Sequence, residues 1–494
     1  MTEMRTLTRS LRRTFGLDAL RPGQAEVIRS VLGGRDTLAI MPTGAGKSLC
    51  YQLPALHLEG TTIVVSPLIA LMKDQTDKLR ELGLEAVQVN STVTGRIEAE
   101  VLRRIGEDRS DFVFTTPERM AEPAFLATLK AAAIDFVVID EAHCISHWGH
   151  DFRPAYLALR QAVKELGDPP ILALTATATG EVVEDIARQL GRPDMRIFRT
   201  GIYRPNLALA VEHVRGDVEK RAELVRLMEG MEGTGIVYTA TVRHVTEVTR
   251  FLQGEGLEVE GYHGRLAAGK RRLAQDRFMA GELRAMVATN AFGLGIDKPD
   301  IRFVAHYDLP GSLEAYYQEA GRAGRDGEPA RCVLLYDGKD RATQLFLMVG
   351  RYPTAEEVRA VYQTLGEGDA EPGGMPLAQL QQRLPAVARK KTRVVLALLK
   401  DAGLVRERRG SRFARGGRVA GDDALDLLAR TYRERGDRDR EKLERMEEYA
   451  RTAYCRWVAL HEWFGEAMPV ERCGRCDNCV KGIAALAGRP VEPA

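Results

Sequence analysis

The octet Met41-Pro42-Thr43-Gly44-Ala45-Gly46-Lys47-Ser48 follows an apolar run, Thr37-Leu38-Ala39-Ile40, and precedes a segment able to start a helix, Leu49-Cys50-Tyr51-Gln52. Strand, glycine turn and helix in that order make a phosphate-binding loop. Successive backbone N–H groups point at an anion, and the helix N-terminus adds positive dipole. Gly44 and Gly46 let the main chain approach phosphate closely, and Thr43 belongs to the same cradle. Lys47 can reach the β- and γ-phosphates of a nucleotide, and the Ser48 hydroxyl can ligate Mg²⁺. The strict pattern has glycine where Met41 stands, so the loop alone competes with an ordinary glycine turn carrying a solvated lysine. The surrounding chain decides between them.

Short apolar runs alternate with helical segments downstream, at Thr62–Ser66, Phe112–Thr115, Phe136–Ile139 and Ile171–Leu174. Buried runs of four or five residues separated by helices predict a parallel α/β sheet with its working loops at the strands' C-terminal ends. Asp140-Glu141 stands at one such end. An Asp there supplies a carboxylate for Mg²⁺, and the neighbouring Glu can orient and deprotonate an attacking water. A helix cap is the plain alternative, but strand, phosphate loop and order all agree on the first reading. His143 is expected to link nucleotide state to the loop Thr175-Ala176-Thr177. Gln24, some twenty residues ahead of the phosphate loop, can bond the edges of adenine. The segment from Cys144 to Pro154 interleaves aromatic and basic residues: Trp148 and Phe152 can stack on single-strand bases, and Arg153 can meet phosphate or a base face. Packing onto their own domain is the competing role for such side chains.

From about Phe15 to Asp337 the chain resembles the RecQ family of superfamily 2 helicases. The resemblance rests on Arg21-Pro22-Gly23-Gln24, the phosphate loop through Gln52, Val65 to Gln75, and the aromatic-rich loop after Asp140-Glu141-Ala142-His143. It implies two tandem RecA-like α/β lobes and ATP-driven 3′-to-5′ movement on single-stranded DNA, with unwinding of tailed or forked duplex in recombination or repair. It also implies adenine recognition by Arg21 and Gln24. Leu17 stands where the family often has an aromatic that stacks on adenine, so looser nucleotide preference is expected. Arg204-Pro205-Asn206-Leu207 is expected to be the hinge into the second lobe, where Thr289 and Asn290 are candidate DNA-phosphate donors. Tyr317 to Asp326 resembles the family's arginine-finger motif. Gln318, Arg322 and Arg325 are thereby catalytic candidates, Arg325 first, acting on the γ-phosphoryl group when the lobes close. The implied partners are single-strand-binding and recombination proteins, and the implied state is a monomer. The alternatives are a translocase that does not separate strands and a non-hydrolysing nucleic-acid-binding adaptor.

A length of 494 residues exceeds one ordinary core and predicts several domains. The expected borders are 1–200 and 201–345 for the lobes, 346–420 for a winged helix, 421–482 for a helical hairpin with a metal module, and 483–494 for a tail. No apolar run approaches a membrane span or a secretory leader, which predicts a cytoplasmic protein, nucleoid-associated if bacterial. The net charge of +2 conceals a block: residues 383–418 hold twelve Lys and Arg against Asp401 and Glu407. Helices at 354–365, 377–384 and 389–401, with a basic hairpin after them at 406–419, predict a winged helix that docks on duplex DNA. A winged helix used for protein contact is the alternative. Phe413 is a candidate strand-separating tip. Seven cysteines divide into three lone ones (Cys50, Cys144, Cys332) and a set near the end. Cys455, Cys473, Cys476 and Cys479, spaced C-x17-C-x2-C-x2-C, predict a tetrahedral Zn²⁺ site. The family usually places zinc ahead of the winged helix; here the order is reversed, and no terminal helical domain is expected.

Overall fold

The computed structural model describes residues 2–107, 110–146, 148–149, 152–293, 296–349, 352–367, 374–408, 411–417 and 419–487. Parts of the segments read above lie outside them: His147, His150 and Asp151 of the aromatic-rich segment, Arg409, Gly410 and Arg418 of the expected basic hairpin, and the expected tail from 488. The chain divides into two compact units, one of Met1–Asp308, Glu314–Tyr336 and Tyr449–Ala494, the other of Leu309–Leu313 and Asp337–Glu448.

The first unit holds both α/β sheets. Strands β1 (Thr37–Ile40), β2 (Thr61–Val65), β3 (Ala86–Val89), β4 (Phe112–Thr115), β5 (Ile134–Ile139), β6 (Ile171–Thr175) and β7 (Arg196–Arg199) form a parallel sheet in the order β3-β4-β2-β5-β6-β1-β7. The central strands are buried along their length because helices cover both faces, as their unbroken Val, Ile and Leu runs require. This order sets β1 beside β6 and β6 beside β5, so the three loops after them share one edge. Backbone bonds extend the ladder past the strand ends: Met41 N to Thr175 O at 3.0 Å, Asp140 N to Val65 O at 2.8 Å, and Ser66 N to Thr115 O at 3.0 Å. The departure at Met41 has its explanation here. Its backbone continues β1 and its side chain is fully buried in the sheet core, so the position has no need of glycine.

The second sheet is built of β8 (Leu207–His213), β9 (Thr234–Tyr238), β10 (Val259–Tyr262), β11 (Ala285–Ala288), β12 (Ile301–His306) and β13 (Ala330–Tyr336). It is parallel, in the order β10-β11-β9-β12-β13-β8. A separate core of Val, Leu and Phe side chains around Val237, Val287 and Phe303 holds it. Cys50, Cys144 and Cys332 are buried free thiols.

In the second unit, helix Ala355–Glu367, strand β14 (Met375–Pro376), helices Leu377–Arg383 and Arg389–Asp401, and strands β15 (Val405–Arg408) and β16 (Arg412–Arg415) come in that order. The strands form one antiparallel sheet, β14-β16-β15, and with the three helices they give residues 355–415 of the unit the order of a winged helix. Phe413 is not a strand-separating tip. It is 8% exposed, pairs with Met375 and lies in the unit's core, because alternation along β16 turns it inward between Arg412 and Ala414. The basic block is also partly committed: Lys391 bonds Glu357 at 2.8 Å, Lys400 bonds Glu407 at 2.8 Å, and Arg415 bonds the Tyr362 carbonyl at 3.0 Å while lying over its ring. Helix Asp422–Arg451 comes after the wing. Among the described residues no helix is long and apolar enough to cross a membrane.

Candidate active site

The phosphate loop leaves β1 with Gly44 and Gly46 at φ 85° and 78°, values that favour glycine. Its outer carbonyls are taken up by Gln24, the first residue of the first lobe's helix Gln24–Leu32, and by Arg21 just ahead of it. Gln24 Nε2 donates to Ala45 O at 3.0 Å and Gly46 O at 2.9 Å, its Oε1 accepts from Arg21 N at 2.7 Å, and Arg21 Nη1 donates to Gly44 O. The two adenine candidates thus also brace the loop. Lys47 Nζ donates to Met41 O at 3.2 Å, curling back over the space that the loop encloses. Burial draws its pKa down, and the carboxylates of Glu141 and Asp140 oppose that shift.

Asp140 follows β5 directly and accepts from Ser66 Oγ at 3.3 Å, and Tyr156 OH donates to its backbone carbonyl at 3.0 Å. Burial, then the charge of Glu141, push its pKa up to about 7, against the pull of Lys47. Glu141 sits at φ 50°, a left-handed conformation that turns the chain sharply into the 3₁₀ helix Ala142–Ile145. His143 Nδ1 lies 3.0 Å from Thr175 Oγ1 and 3.4 Å from Glu141 Oε2, which joins the carboxylate pair to the loop after β6.

Across from these groups the second sheet contributes Gln318, Arg322 and Arg325. The three line one cavity of about 660 Å³ together with Lys47, Asp140 and Glu141, and the same cavity is lined by Arg21, Gln24, Thr43, Gly44, Gly46 and Ser48. Arg322 Nη1 donates to Gly293 O within its own lobe. Arg325 Nη1 meets Asp297 at 2.9 Å, and Asp297 meets Lys78 of the first lobe at 2.9 Å, a bridge across the cleft. Burial, with Arg322 nearby, draws the Arg325 pKa down to about 10, and Asp297 holds it up. Among the described residues, Glu141 Oε2, Arg322 Nε and Arg325 Nε are buried with no hydrogen-bond partner. Spare hydrogen-bonding capacity on two arginines and a carboxylate around one cavity suits a polyphosphate with its metal and water, since buried polar atoms are normally satisfied.

The DNA candidates fall at two places. Trp148 is half-buried against the first lobe's core, and its backbone N–H donates to Ser146 Oγ at 3.1 Å, which in turn donates to Asp185 at 2.8 Å. Phe152 and Arg153 are half-buried, with Arg153 Nη1 3.5 Å from Pro67 O. Thr289 and the exposed Asn290 stand beyond β11 in the second lobe. Sequence reasoning missed three contributors: Phe15, which brings an aromatic face to the cavity beside Leu17, and the pair Lys78 and Asp297. The position of Phe15 two residues ahead of Leu17 is the available signal for the first. Nothing short of the fold joins Lys78 to Asp297.

The four late cysteines also converge. Their sulfurs lie within 4.8 Å of one another, with Cys473 to Cys479 at 3.8 Å and Cys455 to Cys476 at 4.0 Å. A tetrahedron with Zn–S bonds of about 2.3 Å has S–S edges of about 3.8 Å. Backbone N–H groups of Arg456, Cys473, Arg475 and Cys476 point at the sulfurs at 3.2 to 3.5 Å, which favours thiolates. The residues fit a structural zinc that closes the module.

Two parallel-sheet lobes that close a phosphate loop and a carboxylate pair against arginines define a helicase-type motor ATPase. Residues 21–186 match the DEAD/DEAH box helicase family, 219–327 the helicase conserved C-terminal domain, and 422–480 the RecQ zinc-binding family. The chain is 42% identical over 364 residues to the probable ATP-dependent DNA helicase RecS of Bacillus subtilis, covering 73% of each. It is 34% identical over 500 residues to the ATP-dependent DNA helicase RecQ of Synechocystis, covering 98% of this chain and 100% of that one. Against RecQ of Bacillus subtilis the identity is 47% over 336 residues, 68% of this chain and 56% of the relative. The fold is shared with the Mycobacterium smegmatis helicase Lhr bound to ssDNA and AMP-PNP, at a TM-score of 0.55 and 24% identity over 86% of this chain and 61% of Lhr. The chain belongs to the RecQ family of ATP-dependent DNA helicases, with a zinc-binding module after its winged helix.

Proposed function

We propose that this helicase moves 3′ to 5′ along single-stranded DNA and unwinds tailed or forked duplex, in the service of recombination or repair. Single-strand-binding and recombination proteins are its expected partners. The observation that carries the reading is the cavity in which Lys47, Asp140 and Glu141 face Gln318, Arg322 and Arg325. In this scheme Ser48 and Asp140 would hold Mg²⁺, which would lower the charge repulsion that an attacking water meets. Glu141 orients that water and takes its proton. Arg325 leaves Asp297 for the phosphate when the cleft is occupied, so each turnover changes the link between the lobes. Thr289, Asn290 and the loop of Trp148, Phe152 and Arg153 hold the strand, and the winged helix of residues 346–420 docks on the duplex ahead of the zinc module of 421–482.

Strand displacement on duplexes that differ only in the polarity of a single-stranded tail tests the direction. A 3′ tail should support unwinding at least about tenfold faster than a 5′ tail; equal rates would remove the polarity, and ATP turnover without displacement would leave a translocase. Trp148→Ala should keep the KM for ATP within a factor of about three yet lose most of the DNA stimulation of turnover. Undiminished stimulation would end the sensor assignment of this loop.

A further inference from the structure

The hinge residue Arg204 has no part in the catalytic scheme, yet its guanidinium ties two distant segments together. Nη1 donates to Thr43 O of the phosphate loop at 3.3 Å and to Gly321 O at 3.0 Å. Nη2 donates to Ala323 O at 3.0 Å and to Gly324 O at 2.5 Å. Asn206, two residues on, adds a bond from Nδ2 to the same Gly324 carbonyl at 2.8 Å. The turn gripped in this way, Gly321 to Gly324, lies between Gln318 and Arg325 and contains Arg322. Arg204 itself is not among the residues that line the cavity.

The approach is close. A Cβ on Gly44 would lie 3.2 Å from Arg325 Cγ and 3.6 Å from Arg204 Nη1, so the phosphate loop, the hinge arginine and the candidate finger are stacked without a spare layer. Burial draws the pKa of Arg204 down, with Tyr317 and Cys332 opposing the shift. Its hydrogen bonds go to carbonyls, which satisfy its N–H groups and leave its charge uncancelled beside the loop that receives phosphate.

We propose that Arg204 is a positioning residue for hydrolysis: it latches the turn that carries Arg325 to the phosphate loop, and so sets where the finger meets the γ-phosphate. The proposal rests on Arg325 acting as the finger. A planar fork is needed for the full latch, because Nη1 reaches both Thr43 O and Gly321 O while Nη2 adds Ala323 O and Gly324 O. A lysine ammonium is a single point with three N–H donors, so it cannot serve all four carbonyls and fix the turn's orientation. The charge survives in Arg204→Lys while the geometry is lost.

The test is steady-state ATP turnover with saturating single-stranded DNA in four proteins: wild type, Arg204→Lys, Arg325→Ala and the double variant. Arg204→Lys should lower kcat by about 10- to 100-fold, the scale of a misplacement near 1 Å, with the KM for ATP within about threefold of wild type. If Arg204 acts through Arg325, the double variant should turn over within about twofold of Arg325→Ala, because a latch has nothing left to position. Wild-type kcat in Arg204→Lys, or losses that multiply in the double variant, would overturn the latch while sparing the finger. Wild-type kcat in Arg325→Ala would overturn the finger, and the latch with it.

Discussion

Lys47→Ala should lower DNA-stimulated ATP turnover by about 10³-fold or more, the scale seen when one preorganised charge is removed from a phosphoryl-transfer site. The side chain is already aimed into the loop, where its ammonium bonds Met41 O at 3.2 Å. Phosphate oxygens can replace that carbonyl with no rebuilding of the loop. The loop's shape depends on other groups, since Gln24 ties Ala45 and Gly46 and Arg21 ties Gly44. Truncation therefore removes charge and leaves the scaffold, and the melting temperature should stay within a few degrees of wild type. Removing a buried cation also relieves its desolvation, which works against any large loss of stability. A variant that keeps more than about a tenth of wild-type turnover would show that the lysine is not the group that meets the phosphates.

The parts of this site that are legible in the sequence are those in which chemistry and chain order coincide. A strand, a glycine turn and Lys47, with a later strand ending in Asp140-Glu141, leave few folds available, and the parallel order β5-β6-β1 brings the two loops together. Strands β3, β7 and β10 carry mixed residues with no unbroken apolar run, so they give little signal. Phe413 misleads because an aromatic within a basic stretch resembles a tool, although its alternation with Arg412 and Ala414 already marks an inward position. The bridge from Lys78 through Asp297 to Arg325 cannot be read at all. Lys78 lies on the polar side of an amphipathic helix, 219 residues from Asp297, and only the closure of one lobe on the other gives it a partner. The four carbonyl bonds of Arg204 are hidden for the same reason, since carbonyl partners leave no trace in a sequence.

The cysteine module should show the second large effect. Cys476→Ser should reduce bound zinc from about one per chain to nearly none, and open residues 452–487 to limited proteolysis. Structural zinc contributes about 10 to 16 kcal/mol to the folding of small finger peptides, so three ligands cannot hold this module as four do. Among the described residues, four hydrogen bonds tie residues 452–487 to the motor. Glu466 accepts from Ile202 N at 3.0 Å, Arg475 donates to Pro205 O at 3.0 Å, Trp457 Nε1 donates to Leu207 O at 3.2 Å, and Asp477 accepts from Val211 N at 3.0 Å. All of them land on the segment 202–211, which contains Arg204 and the entry to β8. With the module unfolded, that segment loses its outer partners, and DNA-stimulated turnover should fall with the zinc content, although no cysteine lines the nucleotide cavity. Cys332→Ser is the control: that thiol is buried within the second sheet and stands apart from the cysteine cluster, so the variant should keep its metal. A Cys476→Ser protein that retained one zinc per chain would break the ligand set. One that lost zinc but kept full DNA-stimulated turnover would show that the hinge stands without its clasp.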